Sequence, residues 1–581
     1  MLRSRRAARL EYTSLRQLKN GPIPIQSKRN LLTTSFTKGP LEPPLLPHTL
    51  PGFWKDEILE KYGSRPALIA RSEEPRAHGG PVSKNLGVTR HLAWDYEEFN
   101  RHVDAVARGL LGMGVRKGDR VGVIMGNTSA YATLQWACAS IGAILTTINP
   151  AYRLQELVNT LNLVQVKHLF VVPRIRSSEY VRMISQTMQP GELQLEDLPA
   201  LRNFVVVDNA EEAKEDLAKL HIKSMVDWRE VPIWREGTRE AKMQKEIEEG
   251  LDPDEVINLQ FTSGTTGLPK AVSVGNLAAW THGSCIVYPS AIYNPSAIVD
   301  AVTQEKCTAL HGVPTHFLGV MSEVEKRRKA GETLDFSNLR TGIAAGTSVP
   351  IDLMRTLVSD LNLKELTNAY GMISFQTTPA DPLIKRVETV GKIHPHVTAK
   401  VVSDKGAIVP VNTPGELHVS GYLLQKGYWE DEEHTNAVMK KDETGTLWMH
   451  TGDEAIMDEE GYVRIVGRVK NLFPVQIENI LTEHPAIREA AVIAVPDPKY
   501  GETVGAWIVR EPGAPVLSRK EVRELVRKNM NPQNAPAWVW FINEEGTPAE
   551  LPKTASGKVQ KHILRMWSKV LWENSIGKVD I

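Results

Sequence analysis

From Trp94 to Pro150 the chain alternates helix and strand signals at short intervals, and that rhythm constrains the fold more than any other feature. Asp95, with Glu98 three residues on, predicts an N-cap and its capping-box partner for a helix running to about Met113. Gly114-Val115-Arg116-Lys117-Gly118-Asp119 is a turn, and Val121 to Met125 is a buried strand. A helix over about Thr128 to Ile141 and a strand over Ile144 to Ile148 follow, stopped by Asn149-Pro150. Phe204 to Asp208 repeats the strand signal. Strands separated by helices of this length pair through crossovers, so the sequence predicts an α/β fold, with a large layered N-terminal domain of mixed and parallel sheets carrying helices. Residues 210–251 are rich in charge and read as a solvated helical excursion. After Ala399 strands and turns dominate, with Gly415 to Val419 a strand entering from a tight turn. Past Lys470 the units Ile477–His484, Ala490–Ala494 and Arg519–Asn529 predict a small α+β C-terminal domain. The organisation is then 1–44 as leader and linker, 45–467 as the large domain and 468–581 as the small one.

A chain of 581 residues with 41% apolar and 24% charged residues has an ordinary globular balance and can bury several cores. Basic and acidic residues number 69 each, which leaves no net field to favour nucleic acid or a membrane surface as partner. No apolar run is long enough to span a bilayer. Cys138, Cys285 and Cys307 lack metal-ligand spacing and fit a reducing compartment. The N-terminus departs from this average: Met1 to Lys38 holds nine Lys or Arg against one acid, Glu11. Arg3, Arg5, Arg6, Arg9 and Arg16 interleave with Leu2, Leu10, Leu15 and Leu18, which predicts a basic amphipathic helix of the mitochondrial presequence type. Peroxisomal and cytoplasmic placements are the alternatives. Arg9-Leu10 and Gln17-Leu18 approach the N-terminal peroxisomal pattern with a spacer one residue too long, and Val579-Asp580-Ile581 is not the C-terminal type.

Chemistry is concentrated in Thr262-Ser263-Gly264-Thr265-Thr266-Gly267-Leu268-Pro269-Lys270, which follows the strand-like run Val256 to Phe261. Two glycines let backbone amides converge on an anion, the hydroxyls add rotatable donors, and Lys270 supplies a point charge suited to a polyphosphate. The Gly-x-x-x-x-Gly-Lys-Ser/Thr spacing of a Walker A loop is absent. A plain polar hairpin loop is the competing reading of the composition.

Residue for residue, this run resembles the phosphate loop of the acyl-adenylate-forming (AMP-binding) enzymes, and the resemblance extends from about Leu45 to the end. Ala344-Ala345-Gly346-Thr347 is similar to the loop that lies along the adenine, and Asn368-Ala369-Tyr370-Gly371 to the segment whose tyrosine stacks on it. Thr451-Gly452-Asp453 resembles the motif whose aspartate accepts from the ribose hydroxyls. Gly467-Arg468-Val469-Lys470 looks like the domain junction, with Arg468 near ribose and phosphate. Pro552 to Lys558 looks like the C-terminal catalytic loop, with Lys558 as the catalytic lysine. The resemblance implies ATP, Mg2+ and coenzyme A as cofactors and a small carboxylic acid as partner. The carboxylate attacks the α-phosphorus, with Lys270, the loop amides and Lys558 stabilising the developing charge, and the thiol of coenzyme A then releases AMP. About twenty residues follow Lys558, with no carrier domain, which favours free coenzyme A. Within the family the chain is similar to the medium-chain acyl-CoA synthetases of fungi and animals.

Three departures interrupt the match. After Lys270, Ala271-Val272-Ser273-Val274 passes directly to Gly275-Asn276-Leu277, where the family has a few tens of further residues, and His282 and His311 do not fill the histidine position lost there. Tyr370-Gly371-Met372 runs into Ile373-Ser374-Phe375-Gln376, without the family's magnesium-ligating glutamate, so the metal ligands are unassigned. Lys470 joins Asn471 without the hinge aspartate and its Gly-Gly-Glu turn. The edges are clean, as excision of segments leaves them, whereas decay scatters substitutions. The expected function is therefore an ATP-dependent acyl-CoA ligase on a medium- or long-chain fatty acid, weak in the chain as it stands. A catalytically degenerate nucleotide- or CoA-binding relative is the alternative. Oligomeric state is not encoded legibly.

Overall fold

The computed structural model describes residues 31–579 apart from 83, 151, 153, 177, 186–197, 208–224, 261–274, 346–350, 372–373, 469–473, 498–500, 530–534, 545 and 555–557. The expected helix forms over Tyr96–Gly112, and the Asp95 carboxylate caps it by accepting from the Glu98 amide at 2.6 Å. Thr128 caps Ser129–Ser140 in the same way through the Tyr131 amide. The strands between and after these helices, Arg120–Ile124, Ile144–Thr147, His168–Val171 and Asn203–Val206, are all parallel neighbours in one sheet of six. Asn258–Gln260, which leads into the phosphate loop, extends that sheet beyond Ile144–Thr147. Among the described residues it is the outermost strand on that side of the sheet.

Large aromatics fasten the helices to the sheets. Trp54 and Trp136 are fully buried with ring centroids 4.3 Å apart. Truncating either to alanine removes enough packed surface to cost about 3–5 kcal/mol. The chain returns to this core immediately after the first interruption: the short helix Gly275–Trp280 ends on a buried tryptophan whose indole donates to Ala67 O at 2.9 Å. A buried polar network is satisfied beside it. Glu73 accepts from the Ser129 amide at 2.8 Å and from its hydroxyl, while His78 accepts from the Trp228 indole at 2.7 Å.

A second sheet pairs Thr341–Ala345 in parallel with Glu365–Tyr370 and adds Phe375–Gln376 and Lys392–Ile393 antiparallel. A third, antiparallel sheet is built from Val397–Val402, Gly415–Gly421, Met439–Lys441, Leu447–Met457 and Val463–Arg468. Toward the C-terminus Ile487–Asp497 and Gly501–Arg510 form an antiparallel pair, Trp538–Phe541 joins in parallel, and helices Pro474–Thr482, Arg519–Asn529 and Lys561–Glu573 accompany them. Sheets of both kinds with helices give the mixed α/β architecture expected.

Three local expectations need correction. Phe36–Lys38, assigned to the leader, pairs with Val397–Val402 and buries Ser35, because alternating side chains there can complete the edge of the third sheet. Met225–Asp227 is a strand parallel to Asn203–Val206, not part of a helical excursion, because two apolar residues suffice to lengthen a sheet edge. Arg239–Glu249 is the helix of that region, and residues 208–224 lie outside the described residues. The strand placed at Ala490–Ala494 extends over Ile487–Asp497, since its partner pairs with it along its length. The basic leader, residues 1–30, lies outside the described residues. Among the described residues no helix is long and apolar enough to cross a membrane.

Candidate active site

Two parallel strands bring the first expected site segments together. Ala344 lies opposite Asn368 and Ala345 opposite Ala369, so both adenine-type segments leave the carboxyl ends of neighbouring strands. In α/β sheets, loops at those ends converge on ligands. Gly371 has φ +57°, a conformation that carries the chain out of its strand at little steric cost only for glycine. Gly346 and Thr347 lie outside the described residues, as does the whole phosphate loop: Thr262, Ser263, Gly264, Thr265, Thr266, Gly267 and Lys270.

The third sheet supplies the next group. The Tyr370 hydroxyl donates to the Asp453 carboxylate, joining positions 83 residues apart. Asp453 is 8% exposed and stands opposite Arg468 in the antiparallel register. The irregular stretch of its strand at Thr451–Asp453 is tied down at three points. The Asp453 amide donates to Thr451 Oγ1 (3.1 Å), that hydroxyl donates to Leu417 O (2.7 Å), and the Gly452 amide donates to Glu416 Oε1 (3.1 Å). Asn368 is buried, and its side-chain amide donates to Thr389 O at 3.3 Å while its backbone amide donates to Thr377 Oγ1 at 2.8 Å. These two bonds fix the strand end.

Lys558 belongs to the C-terminal unit. It is exposed, at the closing end of a loop in which Lys553 and Val559 form a β-bridge. Its amide donates to Thr554 Oγ1 at 3.1 Å, and its carbonyl accepts from the Thr554 amide at 2.8 Å. These two bonds anchor the backbone of Lys558 at the base of the loop.

A protein ligand for a magnesium ion is not evident at this site. No acid occurs between Tyr370 and Asp381. Asp381 accepts from the Thr378 amide and the Tyr462 hydroxyl, each at 2.6 Å. Burial alone would raise its pKa, but these hydrogen bonds outweigh it and hold the carboxyl below its ordinary range. Asp381 is thus committed away from the strand end, and the described residues do not fit a metal-binding set there.

Sequence reasoning set aside one neighbour of the site and overlooked another. Thr308 to Gly312 runs alongside Thr341–Ala345, and His311 Nδ1 accepts from the Ile343 amide at 3.2 Å. Glu416 accepts from the Gly452 amide, and it forms a close group with His418 and His450. The alternation Glu416-x-His418 was the available signal, but it identifies a shared face only once the strand and its partner are known.

Comparison with known proteins accounts for this arrangement. The sequence pattern named AMP-binding enzyme matches residues 59–276 and 272–429, and that named AMP-binding enzyme C-terminal domain matches 476–558. The two stretches of the first match meet where Val274 passes to Gly275. The acyl-CoA ligase sidI of Aspergillus fumigatus is 36% identical over 84% of this chain and 88% of its own length. The medium-chain acyl-CoA ligase ACSF2, mitochondrial, of Danio rerio is 29% identical over 92% of this chain and 90% of its own. The Aspergillus alignment runs over 539 residues, whereas 84% of 581 is about 488, so about fifty of its positions face no residue of this chain. The crystal structure of the anthranilate CoA ligase AuaEII in complex with anthranoyl-AMP shares the fold at TM-score 0.69 and 19% identity, covering 91% of this chain and 99% of that one. With the family pattern spanning most of its length and a fungal relative 36% identical over 84% of it, the chain belongs to the AMP-binding enzyme family.

Proposed function

We propose that the chain is an AMP-forming acyl-CoA ligase, joining a medium- or long-chain fatty acid to coenzyme A through an acyl-adenylate, with the mitochondrion as its compartment. The observation that carries this reading is the bond from the Tyr370 hydroxyl to Asp453, which joins the end of the strand paired with Thr341–Ala345 to the third sheet. The names of the Aspergillus and Danio relatives support the activity, and that of the Danio relative supports medium-chain acids and the mitochondrion. In this reading Tyr370 offers its ring face to adenine, and Asp453, held by the Tyr370 hydroxyl, accepts from the ribose hydroxyls. Ala345, Gly346 and Thr347 line the base, with Asn368, Ala369 and Gly371 shaping the strand end, and Arg468 lies toward ribose and phosphate. The loop Thr262 to Gly267, with Lys270, cradles the β- and γ-phosphates.

An acid carboxylate oxygen bonds to the α-phosphorus as the bond to pyrophosphate breaks, and Lys270 and Lys558 supply positive potential to the equatorial oxygens. The coenzyme A thiol then attacks the acyl carbon, loses its proton to solvent and expels AMP. A divalent ion bound to the nucleotide phosphates would offset their charge, and the described residues near Tyr370 offer no ligand set to hold it. The division at about residue 467 separates the strand-rich body from the unit bearing Lys558.

The test is acid-dependent pyrophosphate release from ATP across a series of fatty acids, followed by coenzyme A-dependent AMP formation. It is run on this chain and on a version with the family segments restored at the three junctions. Nucleotide binding without acid-dependent release in both proteins would replace this reading with that of a binding relative.

A further inference from the structure

The outer face of the third sheet carries a group of side chains that the ligase chemistry does not use. Glu416 and His418 lie two residues apart on Gly415–Gly421 and therefore share a face. His450 stands directly opposite His418 on Leu447–Met457. The two imidazoles pack with ring centroids 3.8 Å apart. Glu416 Oε2 lies 3.1 Å from His418 Nε2 and 3.8 Å from His450 Nδ1. All three donor atoms fall within 4.8 Å of one another, the one such group among the described residues. Tetrahedral zinc, with Zn–N of about 2.0–2.1 Å, sets its ligands about 3.3–3.5 Å apart. The observed separations bracket that spacing, so small side-chain rotations close the geometry.

We propose that Glu416, His418 and His450 form a binding site for a zinc-class divalent transition-metal ion, with solvent in the remaining position. Two imidazoles and one carboxylate select borderline ions such as Zn2+ or Co2+ over Mg2+ and Ca2+, which favour all-oxygen sets. Side-chain exposures of 25%, 7% and 25% for Glu416, His418 and His450 leave an entry path from one side. Neutral imidazole is the ligating form, so the ion competes with protons for the two histidines. Lys440 and Lys400 also act on His450 with positive charge and oppose binding, which places the affinity below that of a closed structural zinc site. The second Glu416 oxygen holds the Gly452 amide, so coordination orients a side chain that also steadies the stretch carrying Asp453.

The experiment is calorimetric titration of the chelator-treated full chain with ZnCl2, and separately optical titration with Co2+. The expected result is one saturable equivalent, a tetrahedral-type Co2+ absorption, and a loss of affinity of at least about tenfold in both His450→Asn and His418→Asn. His450→Asn, at the more exposed position, is the variant best placed to stay folded, and a urea transition on each variant checks folding. Mg2+ in excess is expected to leave the Zn2+ titration unchanged. A hydrogen-bonded cluster only, seen as no saturable Zn2+ binding or as binding equal in the folded parent and His450→Asn, would overturn the proposal.

Discussion

Asp453→Asn isolates the contribution of one carboxylate to nucleotide recognition. The substitution is isosteric, and the amide keeps one oxygen to accept the Tyr370 hydroxyl, so the strand pairing opposite Arg468 is retained. A hydrogen bond to a charged group is worth about 1.5–3 kcal/mol and one between neutral groups about 0.5–1.5 kcal/mol. The variant weakens one ribose contact to the neutral value and turns the other acceptor into a donor that a hydroxyl must reorient to meet. The expected loss of ATP affinity is about 2–3 kcal/mol, or about 30–150-fold in Kd. Global stability should fall by only about 1 kcal/mol, because the bond from Tyr370 changes from charged to neutral. The assay is calorimetric binding of ATP and of 2′,3′-dideoxy-ATP to parent and variant, with urea transitions as the control. The two substitutions form a cycle: ligand lacking the hydroxyls should show most of the penalty already, and Asp453→Asn should add little to it. Equal penalties for both nucleotides would refute ribose recognition by Asp453, as would affinity for ATP within threefold of the parent.

Lys558→Ala is expected to slow adenylation by about 100-fold or more while ATP binding stays near parental, measured by pyrophosphate release under single-turnover conditions; equal loss in both would assign the lysine to ground-state binding. Restoring family segments at Val274–Gly275, Met372–Ile373 and Lys470–Asn471 should raise acyl-CoA synthesis by at least about 100-fold, since even one lost charge-stabilising group costs about 3–4 kcal/mol of barrier; robust synthesis by the 581-residue chain itself would contradict this. His168 is buried on the first sheet, where burial lowers its pKa to about 4 despite Asp119 nearby. Its neutral form is therefore favoured on folding, so its contribution is complete above about pH 6.5 and erodes as pH falls toward 4. Urea midpoints at pH 7 and 5 should differ less in His168→Asn than in the parent, and an equal drop in both would count against the assignment.

Much of this protein is written locally. Asp95 and Thr128 announce their helices because a capping oxygen needs only the amide three residues ahead, and the apolar runs between them state their strands. The site motifs are legible for a similar reason: each is a short run whose residue types answer one chemical need. Local sequence fails where the partner is distant. Phe36–Lys38 reads as part of a basic leader until the edge of Val397–Val402 is there to receive it. The bond from the Asn368 amide to Thr389 O is equally invisible until the chain is folded. The bond from Tyr370 to Asp453 and the meeting of Glu416 and His418 with His450 depend on strand order and register between segments far apart in the chain. The sequence by itself determined the family, the two capped helices and the inner strands beside them, and the kinds of residue available for chemistry. The tertiary structure alone decided which of them meet, because register across a sheet is set by the packing of whole faces and not by any one strand.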